Sequence, residues 1–428
     1  MLLLERCNKR GLLTGALTMA IMVSGCSLTG KPESMAPQGD EAKTGNEPVT
    51  LKVAFFDSEE RFKQLTQNEV LKRKFPNVTF EYMKYSELQN AITAGQPPDL
   101  IATIIAQLGT LGDLGLKQDL APLIAQTKMD MSKFEQKKIE VIKSYGDKGE
   151  IYALPDTLHE TSPYNTYAII YNKDVFDRFG EPYPKNDMTW DQTMDLAKKF
   201  YRSDNGVDYK GLVVHNAPYF LAFQMGLEFV GADGKVQITD PKWMELFRIN
   251  KRFSQEQGGF LPKGGIFSEF AKKNVAMYAG DASVVFTSPD KYNELQWDVA
   301  TYPVFGGMSP HTVVGPNGGM WTISSTTKNK ELAIRVLDTI LSVEAQKSVP
   351  GYNWWEHPQM KTKNLEVLKK PNYPSVRNNS YMLKYNAQFR TEASNAIGNM
   401  STNNEDINTA LRKFQEKFQQ VIDTDAKK

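Results

Sequence analysis

Leu51-Lys52-Val53-Ala54-Phe55-Phe56 has the β-branched and aromatic enrichment of a buried strand, and the segments next to it in the chain decide the architecture. In the charged stretch 58–74, Phe62, Leu65, Val70 and Leu71 fall at helical spacing. Val78, Phe80 and Tyr82 then alternate as a half-buried strand does. Gly95-Gln96-Pro97-Pro98 breaks the chain between a second helical stretch and a third apolar run at Leu100-Ile101. The order strand-helix-strand-helix-strand predicts a parallel sheet with helices on its faces.

A second unit begins at the apolar strand Tyr167-Ala168-Ile169-Ile170-Tyr171. Thr189-Trp190-Asp191-Gln192 is a capping box, followed by the helix face Trp190, Met194, Ala197, Tyr201. Asp233-Gly234 signals a tight turn before Val236 and Ile238, and Asp240-Pro241 opens another helix. Helical spacing returns at Ala333, Val336, Leu337, Ile340 and at Ile407, Ala410, Leu411, Phe414, Phe418. The 428 residues exceed what one hydrophobic core supports, which argues for two lobes.

The start of the chain is of a different kind. Arg6, Lys9 and Arg10 precede an apolar run over 11–23, closed by Val23-Ser24-Gly25-Cys26. The run falls short of the roughly 20 residues a membrane span needs. The tetrad resembles the lipobox of bacterial lipoproteins, which implies that residues 1–25 are a signal peptide and that Cys26 becomes the lipidated first residue. Residues 27–48 are Gly, Pro, Ser, Glu, Lys and Thr with almost nothing apolar, a tether spanning about 25 Å.

Composition narrows the function. With 51 Lys+Arg against 50 Asp+Glu the chain is near neutral, and there is no reason to expect a nucleic-acid partner. The two cysteines, Cys7 and Cys26, leave no disulfide for the folded body. His159, His215, His311 and His357 stand at no metal-ligand spacing, and Gly-x-Ser-x-Gly, His-Glu-x-x-His and the phosphate-cradling Gly-x-x-x-x-Gly-Lys-Ser/Thr are all missing. No cofactor, metal or catalytic residue is therefore expected. Carboxylate pairs for glycoside cleavage approach in space rather than in sequence, so a surface glycoside hydrolase or lyase stands as the enzyme alternative.

Five segments resemble the bacterial extracellular solute-binding proteins of the sugar-binding type (family 1), the capture subunits of ABC importers. They are Gly95-Gln96-Pro97-Pro98-Asp99-Leu100; Gly149-Glu150-Ile151-Tyr152-Ala153-Leu154-Pro155 with Ile170-Tyr171-Asn172-Lys173-Asp174-Val175-Phe176; Met188-Thr189-Trp190-Asp191; Val275-Ala276-Met277 leading to Gly280; and Gly318-Gly319-Met320-Trp321-Thr322-Ile323 with Lys328-Asn329-Lys330-Glu331-Leu332-Ala333. The resemblance implies an α/β, two-lobed periplasmic-binding-protein-like fold (type II), with discontinuous lobes joined by hinge crossings near 157–163, 312–319 and 342–350. Lobe 1 is expected over 49–160 plus 316–345, and lobe 2 over 161–315 plus 346–428. It also implies a monomer tethered outside the cytoplasm by its lipid, capturing a carbohydrate, an oligosaccharide, and delivering it to transmembrane permease subunits. A ligand sensor without a transporter is the alternative within the binding class.

A sugar site needs planar polar side chains for the hydroxyls and aromatic platforms for the C–H faces. The resemblance assigns ligand contact to Phe56, Asp57 and Ser58 after the first strand, where Asp57 could equally cap the following helix. Tyr164 and Asn165 lie past the first crossing, and Asn216 and Tyr219 match another ligand-facing loop, with amides where maltodextrin-binding relatives carry acids. Asp281 follows Gly280. Relatives place a Trp shortly after that glycine, whereas here Ala282 and Ser283 follow Asp281. Trp354 and Trp355 are the substitute platform, with one of the pair expected to pack inward, and Trp321 is a candidate that could instead be core.

Overall fold

The computed structural model describes residues 47–427, except 105–106, 161–163, 216–217, 239, 256–269, 271, 288, 315–318, 351–352 and 375–378. Cys26, the leader and nearly all of the tether lie outside the described residues, as do Asn216 and Gly318. Glu47–Lys428 forms one compact unit built on two five-stranded sheets.

The first sheet has the order β2-β1-β3-β10-β4. Its strands are β1 (Val49–Phe55), β2 (Val78–Lys84), β3 (Leu100–Ile104), β4 (Leu154–Pro155) and β10 (Gly319–Ile323). Leu51, Val53, Ala54 and Phe55 are buried because β1 is an interior strand, flanked in parallel by β2 (Val53↔Tyr82) and β3 (Val53↔Leu100). The parallel expectation holds for these three strands. It fails for β10, which runs antiparallel to β3 and β4 (Met320↔Thr103, Trp321↔Leu154). The reason is the route: β10 arrives from the second sheet rather than over a helical crossover, so nothing forces it to run parallel. The helix Lys330–Ile340 then buries Ala333, Val336, Leu337 and Ile340 against this sheet, on the face the spacing predicts.

The second sheet has the order β6-β7-β8-β5-β9. It comprises β5 (Tyr167–Asn172), β6 (Arg202–Asp204), β7 (Val207–Val214), β8 (Val275–Asp281) and β9 (Trp297–Thr301). Every residue of β5 is buried. Its side chains alternate, Tyr167, Ile169 and Tyr171 into one apolar cluster and Ala168 and Ile170 into another, so the strand is covered on both faces and reads as a continuous apolar run. The capping box forms with both arms: Gln192 N donates to Thr189 Oγ1 at 3.1 Å, and Thr189 N to Gln192 Oε1 at 2.8 Å. Across the Asp233-Gly234 turn a single antiparallel bridge forms, Val230↔Val236. The helices Lys242–Gln255, Asn386–Thr402 and Ile407–Asp425 complete this core, with Phe229 stacked on Phe389 at 4.0 Å.

The helix Ser380–Lys384 spans both cores. Met382 is buried in the second sheet's cluster, whereas Leu383 is buried in the first sheet's. It lies so close to the helix Leu108–Asp113 that a side-chain carbon on Gly109 would overlap the Leu383 carbonyl.

Candidate functional site

Three crossings join the sheets: β4 to β5, β9 to β10, and the chain after the helix Val343–Lys347. They converge on Asp156, the residue after β4. Its N–H donates to Gly319 O at 3.0 Å, and its carbonyl accepts from Gln346 Nε2 at 2.7 Å. Arg61, from the helix Glu59–Thr66, donates to Pro350 O at 2.9 Å in the third crossing. The three crossings are thus tied to one another where they leave the first sheet, beside the carboxyl ends of β1 and β3, and those of β7 and β8 lie at the start of the second. Open α/β sheets bind ligands beyond such ends.

On the first edge Phe56 is 44% exposed, with its ring 5.7 Å from Phe55. Asp57 is exposed and accepts from Ser58 N at 2.6 Å. The helix cap is Ser58, whose hydroxyl accepts from Arg61 N at 3.2 Å, so the capping role considered for Asp57 falls to its neighbour. Trp321 is 2% exposed within the first core, 5.8 Å from Phe55. A ring so covered is packed as core, the alternative given for it from the sequence. Nothing in the sequence singles out Asp156. Its carboxylate is covered beside Phe56, close enough that a side chain on Gly319 would overlap it. Burial pushes its pKa up to about 6, outweighing the cations Lys138 and Arg61.

On the second edge Asp281 pairs with Tyr167 across β8 and β5. Its Oδ1 accepts from Ser283 N at 3.0 Å, and its carboxylate is partly exposed. Asn165 is turned back into its own loop: its Oδ1 accepts from Tyr167 N at 2.6 Å and its N–H donates to Leu368 O. Tyr164 lies 5.5 Å from Trp354 and 6.1 Å from Trp355. Trp354 is 7% exposed and stacked on Phe286 at 4.6 Å, while Trp355 stands edge-on to it and more open. Asn216 and the side chain of Tyr219 lie outside the described residues.

His215, the residue after β7, is a further group at this edge that sequence reasoning misses when histidines are weighed only as metal ligands. Its N–H donates to Ala279 O at 2.8 Å, which carries the β7–β8 ladder up to the edge. Burial pulls its pKa down and the neighbouring Asp281 opposes the shift. The signal available in the sequence is its place directly after Leu212-Val213-Val214, at a strand's carboxyl end. A separate contact ties the two parts of the chain together, Tyr373 donating to the Glu135 carboxylate at 3.1 Å.

Among the described residues no helix is long and apolar enough to cross a membrane, and no group of three or more His, Cys, Asp or Glu could hold a metal ion. A family model, bacterial extracellular solute-binding protein, matches residues 57–347. The sn-glycerol-3-phosphate-binding periplasmic protein UgpB of Agrobacterium fabrum is 23% identical over 372 residues, 78% of this chain and 81% of that protein. An ABC substrate-binding protein from Listeria monocytogenes in complex with cycloalternan has a TM-score of 0.67 at 16% identity, covering 88% of this chain and 99% of that one. The sugar-binding protein MalE of Xanthomonas citri has a TM-score of 0.65 at 14% identity, covering 88% and 98%. With a two-lobed α/β fold and a family match over most of its length, this chain belongs to the bacterial extracellular solute-binding proteins.

Proposed function

We propose that this protein captures a carbohydrate, an oligosaccharide, in the cleft between its two lobes and delivers it to the permease of an ABC importer. The observation that carries the reading is Phe56, an aromatic ring 44% exposed at the carboxyl end of an interior strand, beside the point where the crossings meet. A half-exposed ring suits the C–H face of a sugar. Asp57 and Asp281, both accessible, suit its hydroxyls. Proteins of similar fold have been solved in complex with sugars and sugar alcohols, among them cycloalternan, mannotriose and ribitol. Lobe 1 is read as 49–160 plus 316–345 and lobe 2 as 161–315 plus 346–428, with ligand drawing them together by hinge motion.

The body acts as a monomer outside the cytoplasm, held to the membrane by lipid on Cys26, and carries out no chemistry on its ligand. Replacing Cys26 with Ser should release it from membranes. The similarity to UgpB favours a second reading, in which the ligand is a phosphorylated polyol such as sn-glycerol 3-phosphate. A thermal-shift screen of sugars, sugar alcohols and glycerol 3-phosphate separates the two. A ligand at 100 times its Kd stabilises the fold by about 2.7 kcal/mol. A shift with oligosaccharides supports the proposal; a shift with glycerol 3-phosphate alone supports the second reading; conversion of an added sugar to product overturns both.

A further inference from the structure

His215 and Asp281 stand side by side at the carboxyl ends of two adjacent strands, where the family resemblance assigned only Asp281. The neighbouring glycine makes the arrangement possible: a side-chain carbon on Gly280 would overlap that of His215. The imidazole is half-buried, packed edge-on against Phe220 with ring centres 5.3 Å apart. Its Nδ1 is covered and has no hydrogen-bond partner among the described residues. With Nδ1 covered, Nε2 is the nitrogen left to meet a ligand.

We infer that His215 is a specificity-determining residue, whose neutral imidazole acts with the Asp281 carboxylate to select an uncharged polyhydroxyl ligand over a phosphorylated one. This rests on the reading of the cleft as a carbohydrate site and adds a residue and a sign to it. Two facts keep the ring neutral. A second proton would leave an N–H without an acceptor at Nδ1 or bury a charge there, and burial already outweighs the attraction of Asp281. The titratable groups facing it from β8 are Asp281 and Tyr278; Tyr278 donates to Asp281 O at 2.8 Å, and burial holds it protonated. The helix Pro218–Gln224 contributes the apolar Phe220. With Nδ1 bare and covered, the neutral ring presents one donor, Nε2–H, and the carboxylate accepts only, so the pair offers a donor and an acceptor to adjacent hydroxyls. A phosphate dianion placed there would meet the Asp281 charge with no cation from His215 to offset it.

The test is calorimetric titration of the mature protein with maltotriose, mannotriose, ribitol and glycerol 3-phosphate at about pH 7.5 and about pH 5. For the sugar or sugar alcohol that binds, affinity should fall toward acid, because a ligand closing over the ring buries it further and binding must then release the proton. His215→Phe should weaken it roughly 3- to 10-fold at the higher pH, the loss of one hydrogen bond. His215→Gln, which hydrogen-bonds but does not titrate, should flatten the pH profile, a result that a purely structural role for the ring does not produce. Sugar affinity identical in wild type, His215→Phe and His215→Gln at both pH values overturns this inference and leaves the carbohydrate reading standing. Binding of glycerol 3-phosphate tighter than that of every sugar and sugar alcohol at the higher pH, or no binding of any of them, overturns both.

Discussion

At the edge of the first sheet the side chains that come forward are an exposed ring, Phe56, and an outward carboxylate, Asp57, above the covered carboxylate of Asp156. At the edge of the second they are His215 and Asp281, beside the ring cluster of Tyr164, Trp354 and Trp355. The cores behind them differ as well. The first sheet shares one apolar cluster with its helices, whereas the second lies between two, so that β5 is sealed on both faces. On the proposed reading the second sheet, covered on both faces, supports the recognition pair, and the first carries Asp156, to which the crossings are hydrogen-bonded.

The largest effect should come from emptying either core. Phe389→Ala, in the second, and Trp321→Ala, in the first, should each cost about 3–5 kcal/mol. If the two cores are separate cooperative units, denaturant melts followed by a probe in each sheet should shift for only one unit per variant. Coincident transitions in both variants would show that the shared helix Ser380–Lys384 and the crossings make one unit of them.

Asp156 sharpens the contrast at the hinge. Its folded pKa, about 6, is raised above the ordinary 3.8, so its favourable contribution is full below about 4 and lost as pH rises through about 6. Asp156→Asn removes the charged form and should leave the protein up to about 3 kcal/mol more stable than wild type above pH 6 or so, with little difference near pH 4. Melting temperatures of the two proteins across that range check it, and parallel curves would show that the carboxylate is held by compensating partners.

Gly109 tests the contact outside the crossings. Gly109→Ala forces its new methyl onto the Leu383 carbonyl, and overpacking of this kind costs about 1–3 kcal/mol. Solution scattering should show the sheets further apart without ligand, with weaker sugar binding; an unchanged radius of gyration would mean that the helix shifts without moving the lobes. The smallest change concerns the platforms. Phe56→Ala and Trp355→Ala should each weaken sugar binding by about 0.5–1.5 kcal/mol with the apo melting temperature nearly unchanged, whereas Trp354→Ala, packed on Phe286, should lower it. Equal effects on binding would assign the stacking to both edges.

The opening strand-helix-strand order, the capping box at Thr189 and the apolar faces of the helices Lys330–Ile340 and Ile407–Asp425 were legible because each depends on neighbours within a few turns of chain. The antiparallel course of β10 was not, since direction within a sheet depends on where a distant segment enters it. The site divides in the same way. Strand ends and the loop residues Phe56, Asp57 and Asp281 can be marked from local pattern and resemblance. Whether a tryptophan faces a cleft or a core cannot, because Trp321, Trp354 and Trp355 carry the same chemistry and are separated only by what packs over them. Asp156 and His215 show the limit most directly: one is an acid in a loop and the other a lone histidine until folding brings Gly319 and Arg61 to the first and Gly280 and Asp281 to the second. Local periodicity and turn chemistry act over a few residues and so are written in the chain. Desolvation and charge proximity act across space, between residues more than a hundred positions apart for Asp156 and Gly319, and so exist only once both sheets are in place.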